Sequence, residues 1–69
     1  MDPKMTELIA IGASVTANCM GWLQHHVAKA REAGVDESSI QEAVRVGNMV
    51  RQGASAKFDK DAASFLAMS

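Results

Sequence analysis

One cysteine, one proline, one tryptophan, two phenylalanines and no tyrosine occur in these 69 residues. A lone cysteine, Cys19, excludes an intrachain disulfide, and with it the covalent framework by which many short chains compensate for a small core. Three aromatic rings, Trp22, Phe58 and Phe65, are too few for a base-stacking platform. Seven lysines and arginines against eight aspartates and glutamates give a formal charge of -1, which is not the basic surface of a nucleic-acid binder. No nucleic-acid partner is expected. The longest apolar run, Leu8 to Ala13, falls far short of the ~20 residues that span a bilayer, so no membrane partner is expected either. The N-terminal Met1-Asp2-Pro3-Lys4 does not open a positively charged region leading into a long apolar stretch, so no secretory signal is expected. With a single unpaired cysteine, the expected location is cytoplasmic.

What is present is mostly helix signal. No stretch alternates apolar and polar residues as a half-buried strand would, and the chain is read as all-α, one domain over residues 1–69. Asp2 is a candidate N-cap with Pro3 at the first helical position, and Leu8, Ile11 and Val15 follow at helical spacing. This first helix should fade near Asn18, leaving Cys19 at the start of a second helix over Met20 to Ala33, which Gly34 ends as a left-handed residue. Ser38 with Gln41 has the form of a capping box opening a third helix. There Ile40, Ala43, Val44, Val46, Gly47, Met49 and Val50 cover more than one stripe, which predicts burial against both its own chain and a neighbour. Gly47 in mid-helix suggests close approach of a helix from another subunit. Gln52-Gly53 is expected to end or bend the third helix, with a further amphipathic stretch over Ala54 to Ala67. A core of this size is marginal with neither disulfides nor metal, so oligomerisation is the expected remedy.

The chemistry sits in ELIAIGASVTANCMGWLQHH, residues 7 to 26. Glu7 is followed by eleven residues, then Cys19, two residues, Trp22, three residues and His26. Cys19, Trp22 and His26 share one face of the second helix. In an antiparallel hairpin folded at Cys19, Glu7 and His26 are offset by five positions, about 7.5 Å along the axis. That predicts a proton relay through a bridging water rather than a direct contact. A thiol at a helix N-terminus beside an imidazole has its thiolate form favoured.

Glutamate, eleven residues, cysteine, two residues, cysteine, three residues, histidine resembles the signature of the alkylhydroperoxidase D-like branch of the carboxymuconolactone decarboxylase family. The resemblance continues through HHVAKAREAGVDESSIQEAV and VRVGNMV, covering roughly residues 5 to 55. It implies an all-α fold completed by oligomerisation and two cysteines that cycle between dithiol and disulfide while reducing peroxides with a thiol or dithiol reductant. By that resemblance Glu7 and His26 are the proton-relay pair and Cys19 is the first, resolving cysteine. Trp22 stands where the second, peroxide-attacking cysteine belongs, and an indole cannot take part in thiol–disulfide exchange. The resemblance also implies trimers or hexamers. Larger members carry two helical units per subunit and form trimers, so a single-unit chain is expected to form a hexamer, with dimer and trimer as alternatives.

Each of these residues has a plainer reading. Cys19 alone would be a small packing residue, His25 and His26 structural or surface histidines, Glu7 a solvated acid in a first helical turn, and Trp22 a filler of the core or of a subunit interface. Adjacent histidines point about 100° apart on a helix, which disfavours a metal site of Glu7, Cys19, His25 and His26. No metal and no cofactor are expected. The expected function is thiol-dependent peroxidase chemistry interrupted at Trp22. The alternatives are an acid/base decarboxylase or isomerase using His26 and Glu7 on a small carboxylated substrate, and a non-catalytic oligomeric binding module.

Overall fold

A computed structural model describes Met1–Ser69 as three helices, α1 (Pro3–Thr16), α2 (Met20–Glu32) and α3 (Glu37–Met68). The all-α expectation holds. α1 starts where the sequence says it should: the Asp2 carboxylate accepts from the Lys4 amide at 2.9 Å, and Pro3 takes a position whose missing N–H costs no helical bond.

Two turns of the same design fold the helices back on each other. At the end of α1, Asn18 is left-handed (φ 56°), the Cys19 amide donates to Ser14 O and the Asn18 amide to Val15 O. At the end of α2, Gly34 is left-handed (φ 84°), the Val35 amide donates to Ala30 O and the Gly34 amide to Arg31 O. Both satisfy helix-end carbonyls that would otherwise lack partners. The second closes with Val35 and Ala30 buried in the same cluster as Ile11 and Ile40, against which Leu8, Leu23, Val27, Ala43 and Val44 pack. Only seven of the 69 residues are buried, so this core is as small as the length implied.

α1 packs along α3 far more extensively than α2 does. The contact is close enough that a methyl group on Gly47 would lie 2.3 Å from Gly12 O. The Thr16 hydroxyl lies across the junction, 2.9 Å from Gly47 O and 3.1 Å from Gly12 O. Gly47 therefore answers to α1 of its own chain, not to a helix of another subunit, because its missing side chain is what lets the two backbones touch.

Three other expectations change. α3 runs unbroken through Gln52-Gly53 to Met68, so Ala54 to Ala67 is not a separate segment. A glycine costs a helix roughly 1 kcal/mol but ends it only where the chain also turns left-handed, and Gly53 has no such turn. α2 stops at Glu32, with Ala33 as its cap. Ser38 is not a cap either. Asp36 takes that position, and the hydroxyls of Ser38 and Ser39 both donate to its carboxylate, leaving Gln41 outside any capping box.

The two glycines of α3 make opposite predictions. Gly53→Ala meets nothing within 4 Å and should raise stability by up to about 1 kcal/mol, several degrees in melting temperature for a chain this short. Gly47→Ala must push α1 and α3 apart and should lower stability by about 1–3 kcal/mol, as overpacking does. Thermal unfolding followed by circular dichroism checks both.

The entry to α3 is acid-sensitive. The hydroxyls of Ser38 and Ser39 hold the Asp36 carboxyl below the usual carboxylate range, and a hydrogen bond from Arg31 does the same for Glu37. Carboxylates lowered on folding contribute stability that is complete above the ordinary range, roughly pH 4, and lost as pH falls through the lowered native values. Amide protection factors at the α2–α3 turn, corrected for the intrinsic pH dependence of exchange, should therefore fall on acidification below that range, and Asp36→Asn should abolish its part of the effect.

Candidate functional site

The α1–α2 hairpin brings Glu7 and His26 into direct contact, His26 Nδ1 lying 2.7 Å from Glu7 Oε2. The bridging water expected from sequence is not needed. Measured from the observed helix ends, Glu7 lies nine residues before Thr16 and His26 six residues after Met20, an offset of about 4.5 Å that the two side chains span. Both are largely withdrawn from solvent, with side chains 13% and 21% exposed for Glu7 and His26 respectively. A carboxylate can only accept, so the proton of this bond rides on Nδ1, and in the neutral ring Nε2 carries the lone pair.

Trp22, one turn before His26, lies flat against it, with ring centroids 5.3 Å apart and planes inclined by 19°. His25 meets both rings edge-on, 5.4 Å from Trp22 and 4.9 Å from His26. Trp22 is 57% exposed, so it does not fill the core of its own chain; it forms the outer wall of the imidazole pair. Cys19 is the N-cap residue of α2 and is half-buried. It lines an open cleft of about 440 Å³ with Gly21, Trp22 and His25, and also a cavity of about 250 Å³ beneath the hairpin turn. His26 lines neither. Trp22 thus stacks on His26 and lines the cleft that Cys19 also lines.

Arg51 of α3 secures this arrangement from below. Its guanidinium donates to Val15 O at 3.1 Å, to Asn18 Oδ1 at 2.6 Å and to Asn48 Oδ1 at 2.7 Å, holding the turn that delivers Cys19. Arg51 carried no sequence signal, because the Val15 and Asn18 groups it holds lie more than thirty residues away. His25 was legible only as a surface histidine; its place against Trp22 follows from the ring stacking. No three histidine, cysteine, aspartate or glutamate side chains converge in this structure.

With this geometry in place, comparison with known families is decisive for lineage. Residues 1–64 match the carboxymuconolactone decarboxylase family. The chain belongs to that family. The match takes in all of α1 and α2 and most of α3, so the Glu7–His26 pair, Cys19 and Trp22 all lie within the family unit. Searches of curated proteins and of solved structures gave no match. This carboxymuconolactone decarboxylase family protein has the Glu7–His26 contact between the two helices of a hairpin and an indole, not a second thiol, beside the imidazole.

The Glu7 contact sets the imidazole tautomer. Nitrogen-15 NMR of the neutral side chain should show His26 protonated at Nδ1. In Glu7→Leu, with no acceptor opposite Nδ1, the proton should move to Nε2.

Proposed function

We propose that this carboxymuconolactone decarboxylase family protein carries out acid–base chemistry on a small carboxylated substrate bound against Trp22. His26 transfers the proton, and Glu7 orients the ring and balances its charge. The observation that carries this reading is the 2.7 Å contact from Nδ1 to Glu7, which leaves Nε2 as the free nitrogen of a largely buried imidazole. A carboxylate behind an imidazole stabilises the imidazolium that forms when Nε2 takes a proton. In a decarboxylation, the electron pair released as carbon dioxide departs is quenched by that proton. In an isomerisation, the base removes a proton from one carbon and returns it to another. The flat indole offers an apolar, π-rich face for an unsaturated substrate.

The thiol supports a second reading, since Cys19 sits at the N-terminus of α2 on the wall of the open cleft. A thiolate there attacks the O–O bond of a peroxide, becoming a sulfenic acid and releasing an alcohol or water. With tryptophan at position 22, no neighbouring thiol can condense with that sulfenic acid. An external thiol must do so, forming a mixed disulfide with Cys19 and releasing the sulfenic oxygen as water; a second thiol then frees Cys19 and leaves as the external disulfide. The proposed setting, the cytoplasm, supplies such thiols.

Two assays on the full chain separate the readings. Release of carbon dioxide from carboxymuconolactone, the acid in the family's name, should survive Cys19→Ala and fall about a hundredfold or more in His26→Gln, within the range for loss of a general acid–base group. Peroxide consumption with a dithiol reductant should be absent from the wild-type chain, and Trp22→Cys should gain both turnover and a disulfide to Cys19. Wild-type peroxide turnover that is lost in Cys19→Ser would overturn the acid–base reading in favour of one-cysteine chemistry. Inactivity of the wild-type chain and every variant in both assays would leave a binding module.

A further inference from the structure

Arg51 is the one cation of this chain that is both half-buried and without a carboxylate. The other six lysines and arginines are all exposed. Arg31 and Arg45 each grip a glutamate, Glu37 and Glu42 respectively, and both do so through Nε and Nη2, the guanidinium edge that matches a carboxylate. Arg51 meets only uncharged oxygens. Nη1 donates to Val15 O and Asn18 Oδ1, and Nη2 to Asn48 Oδ1.

Capping of α1 explains part of this arrangement, since Val15 O is one of the last carbonyls of that helix and such an end carries roughly half a negative charge. The rest of the guanidinium charge has no counter-charge within the chain. Its hydrogen bonding is unfinished as well. Both N–H groups of Nη1 and one of Nη2 are engaged, while Nε–H and the second Nη2–H have no acceptor in the chain. Nε and Nη2 are the atoms with which Arg31 and Arg45 hold their carboxylates.

The surroundings of Arg51 select the ligand. It lines the cavity of about 250 Å³ beneath the hairpin turn, where Val15, Met20, Leu23 and Val44 supply apolar wall, Cys19 supplies the thiol and no acidic side chain contributes. Pockets that take drug-sized ligands run to roughly 300–1,000 Å³, so a ligand of this cavity is small. One cation in an apolar wall suits one anionic group joined to hydrocarbon, because a second charge would be buried without a partner. A phosphate ion brings charge but nothing for the apolar wall. A short-chain monocarboxylate meets both conditions.

We propose that the cavity beneath the α1–α2 turn binds a short-chain monocarboxylate, its carboxylate on Nε and Nη2 of Arg51 and its hydrocarbon against Val15, Leu23 and Val44. Arg51 then has two tasks, holding the turn through Nη1 and holding the anion through its other edge. His26 lines neither this cavity nor the cleft beside Trp22, so the site stands apart from the proton chemistry proposed for His26.

Cys19 lines the same cavity and serves as its reporter. Alkylation of the full chain is measured with iodoacetate, which carries a carboxylate, and with its neutral counterpart iodoacetamide, at fixed ionic strength. The ratio of the iodoacetate rate to the iodoacetamide rate should be about tenfold higher for Cys19 than for a cysteine in an unstructured peptide, and Arg51→Gln should return it to the peptide's value. Butyrate should slow both reagents with a half-effect at roughly 1–10 mM, and butyramide should not. Because Arg51→Gln also removes bonds to the turn, NMR of the wild-type chain decides independently. The Arg51 Nε–H resonance and the methyl resonances of Val15, Leu23 and Val44 should move together on addition of butyrate. A wild-type rate ratio equal to the peptide's, an Nε–H resonance unmoved at about 100 mM butyrate, an equal response to butyramide, or tighter binding of inorganic phosphate than of butyrate would overturn the proposal.

Discussion

The backbone-to-backbone contact of Gly12 with Gly47 is the constraint on which the rest of the molecule rests. It sets the separation of α1 and α3, and the Thr16 hydroxyl ties the two glycine carbonyls together at the end of α1. From there the chain has two residues before Cys19, and Arg51, one turn beyond Gly47 on the same face of α3, reaches across to Val15 and Asn18. The position of α2 follows from that turn. A side chain at residue 47 would move α1 as a body, and with it Glu7, so the register of the Glu7–His26 contact depends on a hydrogen atom some distance from it.

The site is built from the same economy. One hairpin supplies both members of the Glu7–His26 contact, one from each helix, and its turn supplies the thiol. Trp22 then decides how these parts relate. Its ring stacks on His26 and also lines the cleft onto which Cys19 opens. The chain has a carboxylate–imidazole contact in its hairpin and an indole, with no second thiol, beside the imidazole.

Much of this was legible in the sequence. The Asp2-Pro3 entry, the end of α1 near Asn18, the left-handed exit at Gly34, and the spacing of Glu7, Cys19 and His26 are local signals, each governed by residues within a few positions or by helical periodicity. The errors share one cause. Gly47, Gly53 and Ser38 were read by residue type, but what a glycine or a serine does depends on what lies opposite it. Gly47 faces Gly12, Gly53 faces nothing, and Ser38 serves the Asp36 carboxylate. Likewise the offset of Glu7 from His26 was overestimated because the turn was placed at a single residue instead of being spread over Ala17 to Cys19.

By itself the sequence determined the helices, the hairpin, the family and the absence of a dithiol, because propensity, periodicity and composition act over short separations and need no knowledge of distant partners. Only the tertiary structure decided that Glu7 and His26 touch directly, that the Trp22 ring stacks on His26, that Arg51 holds the turn, and that half of α3 extends beyond its own core. Those are outcomes of helix packing, in which a tenth of a nanometre between backbones selects which side chains meet, and no pattern along the chain encodes that separation.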